Sequence, residues 1–143
     1  MVPFSIREFR FPDDYSPVIR FWEKIEKGIH VGPSDAVGEI KKKLQRDPDL
    51  FLIAEAGGEF IGTVMGGFDG RRVFVYHLAV ADRHRGKGIG SRLLKEVEDR
   101  LRIKGCIRCF LFVTSDNNEA MRFYETQGWR PMDHDRPYAK DLA

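Results

Sequence analysis

Between Val73 and Thr114 the chain reads "VFVYHLAVADRHRGKGIGSRLLKEVEDRLRIKGCIRCFLFVT". An apolar run gives way to a glycine-spaced basic turn, then to a helical pattern, then to a second apolar run. This order restricts the fold more than any other feature. Ile89, Leu93, Val97 and Leu101 recur every four residues, and Lys95/Asp99 and Glu98/Arg102 stand at ion-pair spacing. Gly105 supplies a helix stop. Strand 73–80, helix 88–104 and strand 106–114 therefore form a βαβ unit. Its two strands must run parallel, because a helix-length crossover returns the chain to the same end of the sheet.

The segments before it read differently. "LFLIAEAGGEFIGTVMGG" is two strands around Gly57-Gly58, a two-residue hairpin signal. Asp69-Gly70 marks the next turn, so residues 50–80 form an antiparallel meander. "SIREFRF" reads as a first strand. "DYSPVIRFWEKIEKG" reads as a helix with Val18, Ile19, Trp22 and Ile25 on one face and Gly28 as its stop. "SDAVGEIKKKLQRD" reads as a second helix, capped by Ser34 or Asp35, with Val37, Ile40 and Leu44 inward. "DNNEAMRFYETQG" is a short helix with Asp116 and Glu119 at capping-box spacing. "WRPMDHDRPYAKDL" has room for one or two late strands. The sum is a mixed α/β fold of the α+β type, mostly antiparallel with one parallel pair.

At 143 residues the chain suits a single domain, 1–143. No apolar run approaches the roughly 20 residues of a membrane helix. "MVPFSIREFR" mixes charge and apolar residues from the start, unlike a secretion signal. A cytoplasmic protein with no membrane partner is the expectation. The net charge of +2 favours no polyanionic partner. "KKKLQR" reads as a solvated helix face and lacks the aromatic interleaving of a single-strand nucleic-acid surface, so no nucleic-acid partner is expected. Cys106 and Cys109 form a C-x-x-C, but zinc needs four ligands and no second pair exists. Redox pairs usually open a helix, whereas "CIRCFLFV" reads as a strand. Two ordinary strand thiols and no metal are expected.

The basic turn has a clear physical use. The first N–H groups of a helix lack internal partners, and the helix dipole leaves partial positive charge there. Glycines let an anion approach the backbone, and successive N–H groups make a nest for phosphate oxygens. Arg83, Arg85 and Lys87 add full charges. Neither common nucleotide loop fits. A dinucleotide fingerprint needs G-x-G-x-x-G directly after the strand, and here Ala81 to Arg85 intervene. "GKGIGS" does not match the P-loop.

"RGKGIG" does fit R/Q-x-x-G-x-G/A, and the chain resembles the GNAT N-acetyltransferase superfamily, where that signature holds the coenzyme A pyrophosphate. "LAVADRHRGKGIGSRLL" is similar to the family's strand-loop-helix core. "NNEAMRFYETQGW" is similar to its later N-x-x-A-x-x-x-Y-x-x-x-G-[FW] segment, with Asn117, Ala120, Tyr124, Gly128 and Trp129 in register. "GTVMGGFDG" resembles a bacterial branch. The resemblance implies a GNAT fold in which a central parallel strand pair splays, flanked by helices, and takes the pantetheine arm of acetyl-CoA into the gap. Leu78, Ala79 and Val80 would then contact the arm through their backbone, in the manner of strand addition. A bulge there would aim an N–H at the thioester carbonyl. Arg85, Gly86, Lys87, Gly88, Ile89, Gly90 and Ser91 would wrap the pyrophosphate, with Lys87 and Arg92 both candidates for the 3′-phosphate.

The implied reaction is direct attack of a neutral amine on the thioester. Tyr124 stands at the family's general-acid position, and a phenol with a pKa near 10 can donate to the departing sulfur. Asn117 either caps the last helix or bonds the pantetheine. Many relatives carry a glutamate near Tyr76, but "VFVYHLAV" has none. His77 is the nearest titratable candidate for the base, since a free imidazole titrates near 6.5. Strand alternation places Tyr76 and His77 on opposite faces. Glu55, Glu119 and a water chain are the alternatives. The acceptor is an amine of a small molecule or a protein, with Trp22, Glu23, His30 and Asp133 to Asp135 as candidate lining. A non-catalytic acyl-CoA-binding module of the same fold is the competing reading. Pairing of two copies through the late strands would give a homodimer.

Overall fold

The computed structural model describes residues 3–143. Residues through Phe112 form one compact unit and Val113–Ala143 a second.

The first unit is built on a sheet of order β1-β2-β3-β4-β5, comprising β1 (Ser5–Glu8), β2 (Phe51–Ala56), β3 (Glu59–Phe68), β4 (Val73–Val80) and β5 (Cys109–Phe110). All neighbours are antiparallel except β4 and β5, which run parallel. The β2–β3 turn uses Gly57 and Gly58, both at positive φ (57° and 79°), which a tight twisted hairpin demands. α1 (Tyr15–Glu23) and α2 (Val37–Arg46) cover one face, and α3 (Ile89–Ile103) covers the other. Phe9, Val18, Trp22, Ile40, Phe51, Ile53 and Met65 fill the core beneath α1 and α2. Trp22 stacks on Phe51, which stacks on Phe9.

α3 lies unusually close to the sheet. A Cβ on Gly62 would come within 2.8 Å of a Leu93 methyl and 3.1 Å of the Ala79 carbonyl, and one on Gly66 within 3.1 Å of Val97. These two glycines therefore set the height of α3, and so the position of its N-terminus. Ile89, Leu93, Leu94, Val97 and Leu101 are all buried. Gly105 (φ 87°) ends the helix, with the Cys106 amide donating to the Leu101 carbonyl at 3.0 Å.

Three expectations need correction. The first helix stops at Glu23 rather than Gly28. Its next turn tightens, with Lys24 and Ile25 amides donating to Phe21 and Trp22 carbonyls, and Ile25 and Ile29 still reach the core from irregular chain. The expected strand 106–114 shrinks to β5, because only Val73–Cys109 and Phe74–Phe110 are paired. Past that point the described residues show no pairing between the two segments. No strand forms in 129–143, where Pro131 and Pro137 interrupt the chain and no ladder partner is present.

The second unit holds α4 (Asn118–Thr126). Its N-cap is Asn117, one of the two roles expected of that residue, with Oδ1 accepting from the Ala120 amide at 3.2 Å; Asp116 is not the cap. Gly128 (φ 92°) ends it, and the Trp129 amide donates back to the Tyr124 carbonyl at 3.0 Å.

Candidate active site

The basic turn occupies the space between β4 and α3. After a 3-10 turn at Asp82–His84, Gly86 and Gly88 take positive φ (73° and 81°), and Gly88 is the N-cap of α3. No side chain caps that end. The first amide with an internal acceptor is that of Arg92, which donates to the Gly88 carbonyl at 3.1 Å. Among the described residues, the amides of Gly86, Lys87, Gly88, Ile89, Gly90 and Ser91 find no acceptor within the protein. Six consecutive unbonded donors at the positive end of a helix dipole fit a diphosphate. A depression of about 570 Å³ beside them is lined by Gly57, Glu59, Arg83, His84 and Lys87. His84 Nδ1 is buried there without a partner. Desolvation and the Lys87 and Arg83 charges push the His84 pKa down. Arg83 pairs with Glu59, and Arg85 with Asp82 at 3.4 Å. Arg92 lies over the Phe4 ring.

β4 offers the second element. Beyond Phe74 it pairs with β3 alone, so its other edge has no strand among the described residues. Leu78, Ala79 and Val80 lie on this stretch, with Ala79 buried. The expected bulge is present: Met65 opposes Tyr76 and Thr63 opposes Ala79, leaving His77 and Leu78 against the single residue Val64. His77 carries the distortion at φ 51°, the sole non-glycine among the described residues at positive φ.

The bulge overturns the alternation argument. His77 turns to the face that carries Tyr76, under α1 and α2. Its ring lies 4.5 Å from Trp22 and 5.7 Å from Tyr76, centre to centre. Its Nε2 is 2.9 Å from Asp35 Oδ1. Asp35 is buried, accepts the Gly32 amide at 3.1 Å through Oδ2, and through its carbonyl accepts the Tyr15 hydroxyl at 2.8 Å. The backbone of His77 is fixed as well, since its carbonyl accepts the Thr63 hydroxyl at 2.8 Å and that oxygen accepts Trp22 Nε1–H at 2.9 Å. Trp22 is thus a core residue holding the bulge rather than a lining of an amine site. Tyr76 is pushed up to about 12, by desolvation first and then by Asp47 and Asp35.

Asp35 was not legible as a site residue. It reads as a helix cap, but its carboxylate is spent on His77 and Gly32, and α2 begins at Val37 without a side-chain cap. Of the other candidate bases, Glu55 is ion-paired with Arg7 at 3.1 Å and Glu119 stands exposed in the first turn of α4. Glu23, His30 and Asp133 to Asp135 are exposed.

Tyr124 and Asn117 belong to the second unit. The Tyr124 ring packs on Phe123 and Trp129, at 5.2 and 5.9 Å between centres. Burial pushes its phenol up to about 12. Burial likewise raises both thiols, Cys109 to about 11, which is opposite to what a reactive cysteine needs.

A parallel ladder of two residue pairs, a bulge in the strand that runs on past it and an unbonded amide nest at the following helix suit a ligand carried on a diphosphate. Residues 11–129 match the acetyltransferase (GNAT) family, and the chain belongs to it. The acetyltransferase ECA0875 of Pectobacterium atrosepticum is 40% identical over 130 residues, covering 90% of this chain and 89% of that one. The solved structure of the PaiA N-acetyltransferase of Thermoplasma acidophilum in complex with coenzyme A matches at TM-score 0.82 and 23% identity, over 94% of each chain. AAC(6′)-Iy in complex with a bisubstrate analogue matches at TM-score 0.73 and 18% identity, over 98% of this chain and 99% of that one. At such identities these two structures speak to the fold. As a GNAT acetyltransferase the chain takes its acetyl group from acetyl-CoA. No helix of the described residues is long and apolar enough to cross a membrane.

Proposed function

We propose that residues 1–143 act as one cytoplasmic N-acetyltransferase domain, moving the acetyl group of acetyl-CoA to a primary amine of a small molecule or a protein. The observation that carries this reading is the run of six unbonded amides from Gly86 to Ser91, placed beside the unpaired edge of β4. The nest takes the diphosphate, with Arg85 and Lys87 adding charge. The free edge at Leu78, Ala79 and Val80 takes the pantetheine amides as a strand would. The bulge turns a backbone N–H toward the thioester carbonyl, where one such donor is worth roughly 10²–10³ in rate.

His77 takes the acceptor's proton and Tyr124 attends the departing sulfur. A phenol near 12 is a weaker acid than a thiol near 8.5, so complete proton transfer from Tyr124 to the thiolate is uphill. Its contribution is a hydrogen bond that stabilises charge as it builds on sulfur. Asn117 has its Oδ1 occupied by the cap, which leaves its side-chain N–H₂ for the pantetheine.

Thermal shift with acetyl-CoA, NAD and ATP, followed by thiol release with a panel of amines, tests the reading. Acetyl-CoA should raise the melting temperature by mass action and the nucleotides much less. Stabilisation without thiol release for any amine would reassign the chain as an acyl-CoA-binding module. Equal shifts with all three ligands would remove the coenzyme A site.

A further inference from the structure

We propose that Asp35 is a positioning residue for the transfer reaction, fixing the tautomer and orientation of His77. The inference rests on the reading of His77 as the base. It starts from hydrogen-bond chemistry. A carboxylate only accepts, so the 2.9 Å contact requires His77 Nε2 to carry the hydrogen and donate. A neutral imidazole with Nε2–H presents its lone pair at Nδ1. That nitrogen bonds to no other described residue and is not among the buried unpaired atoms, so it faces accessible space. It is the nitrogen left to take a proton from an acceptor ammonium, which then leaves as a neutral amine and attacks. The same division of labour, carboxylate on one nitrogen and reaction at the other, orients the imidazole of hydrolytic triads.

Two further observations set this contact apart from a chance ion pair. Asp35 stands where the cap of α2 is expected, yet its Oδ2 caps only the short 3-10 turn at Gly32 while its Oδ1 reaches a strand 42 residues away in sequence. Local rules are broken in this way chiefly where function requires it. His77 itself sits at φ 51°, a strained conformation that persists only when its surroundings impose it. Those surroundings act on both ends of the residue: Trp22 and Thr63 lock its carbonyl, and Asp35, itself held by Gly32 and Tyr15, locks its ring. The remaining polar neighbours are the Tyr76 phenol on β4 and, beyond it, Lys43 on α2, whose ammonium is paired with Asp47. Neither bonds to Nδ1.

The test combines ¹H–¹⁵N NMR of the imidazole with steady-state kinetics on Asp35→Ala, His77→Gln and the double variant. His77→Gln identifies the His77 signals by their loss. The probes are acetyl-CoA with spermidine, phenethylamine and a short peptide with a free N-terminus, using whichever turns over fastest. The wild type should show the Nε2–H tautomer alone, and Asp35→Ala a mixture. Asp35→Ala should lower kcat at least roughly 10-fold, with KM for acetyl-CoA unchanged; loss of the orienting carboxylate in a hydrolytic triad costs about 10⁴. In the His77→Gln background it should cost nothing further. Asp35→Asn keeps the side-chain size and serves for kcat should the alanine variant fail to fold. An unchanged tautomer in Asp35→Ala, or an equal loss in the His77→Gln background, overturns the inference while leaving the base reading intact. A fully active His77→Gln overturns the base reading, and the role of Asp35 with it.

Discussion

The nest at Gly86–Ser91 and the bulge at His77 follow one another along the chain, but they are made of different things. The nest is backbone. Its donors are main-chain amides, its shape comes from two glycines at positive φ, and every part lies within one short segment. The bulge site is side chain. His77 is completed by Asp35, Trp22 and Thr63, from three other elements. A backbone site can bind any ligand with the right diphosphate, which suits a co-substrate common to a whole family. A side-chain site can be rebuilt one residue at a time, which suits the half of the reaction that varies.

The largest predicted effect falls on the nest. Gly88→Glu should abolish the acetyl-CoA thermal shift. A Cβ there meets nothing within 4 Å, so the fold survives, but φ 81° costs a non-glycine residue about 1–2 kcal/mol and the new carboxylate repels the diphosphate. A retained shift would mean that the diphosphate binds elsewhere. Tyr124→Phe comes next. It should lower kcat on the order of 10²-fold with acetyl-CoA affinity nearly unchanged, as expected for a donor that acts late. Because the wild-type phenol titrates near 12, the rate should show no alkaline loss attributable to it below about pH 10. Full activity in the phenylalanine variant removes the assignment.

Thr63→Val separates the two regions. It strands Trp22 Nε1–H and frees the His77 carbonyl, which should cost roughly 1–3 kcal/mol in chemical denaturation and slow turnover. The acetyl-CoA affinity of the nest should hardly move. A loss of affinity as large as the loss of turnover would show the two regions to be one.

The smallest effect concerns pH. Burial works against the Asp14 carboxylate, but the bonds from Arg7 (2.7 and 3.0 Å) and the Arg10 amide outweigh it and hold its carboxyl below the usual range. A carboxyl lowered in the folded state stabilises above its unfolded value of about 3.9 and loses that contribution as pH falls through the folded one. The melting temperature should therefore fall below about pH 4, and Asp14→Asn should blunt the fall. An equally steep fall in that variant assigns it to other carboxylates.

The same division explains what could be read from the sequence. α3, the Gly57-Gly58 hairpin, the parallel β4–β5 pair and the nest all have local signatures: a four-residue apolar repeat, two adjacent glycines, a glycine-spaced turn. The helix, the hairpin and the nest are each decided within a few residues, and the parallel pair follows from the helix-length crossover between its strands. Gly62 and Gly66 carry no such mark, since what they do is admit Leu93 and Val97 from another element. The first helix was overread because Ile25 and Ile29 continue an apolar pattern that core packing satisfies without helix. Asp35 reads as the cap of α2, but it caps the preceding 3-10 turn instead and gives its other carboxylate oxygen to a distant strand. The bulge was expected, but its consequence for His77 was not, because counting alternation assumes an unbroken strand.

The crystal structure of the chain with coenzyme A tests the central claim most directly. The account predicts the diphosphate oxygens within hydrogen-bond distance of the amides between Gly86 and Ser91, and the pantetheine along β4 beyond Phe74. A diphosphate bound elsewhere, with those amides left to solvent, would contradict it.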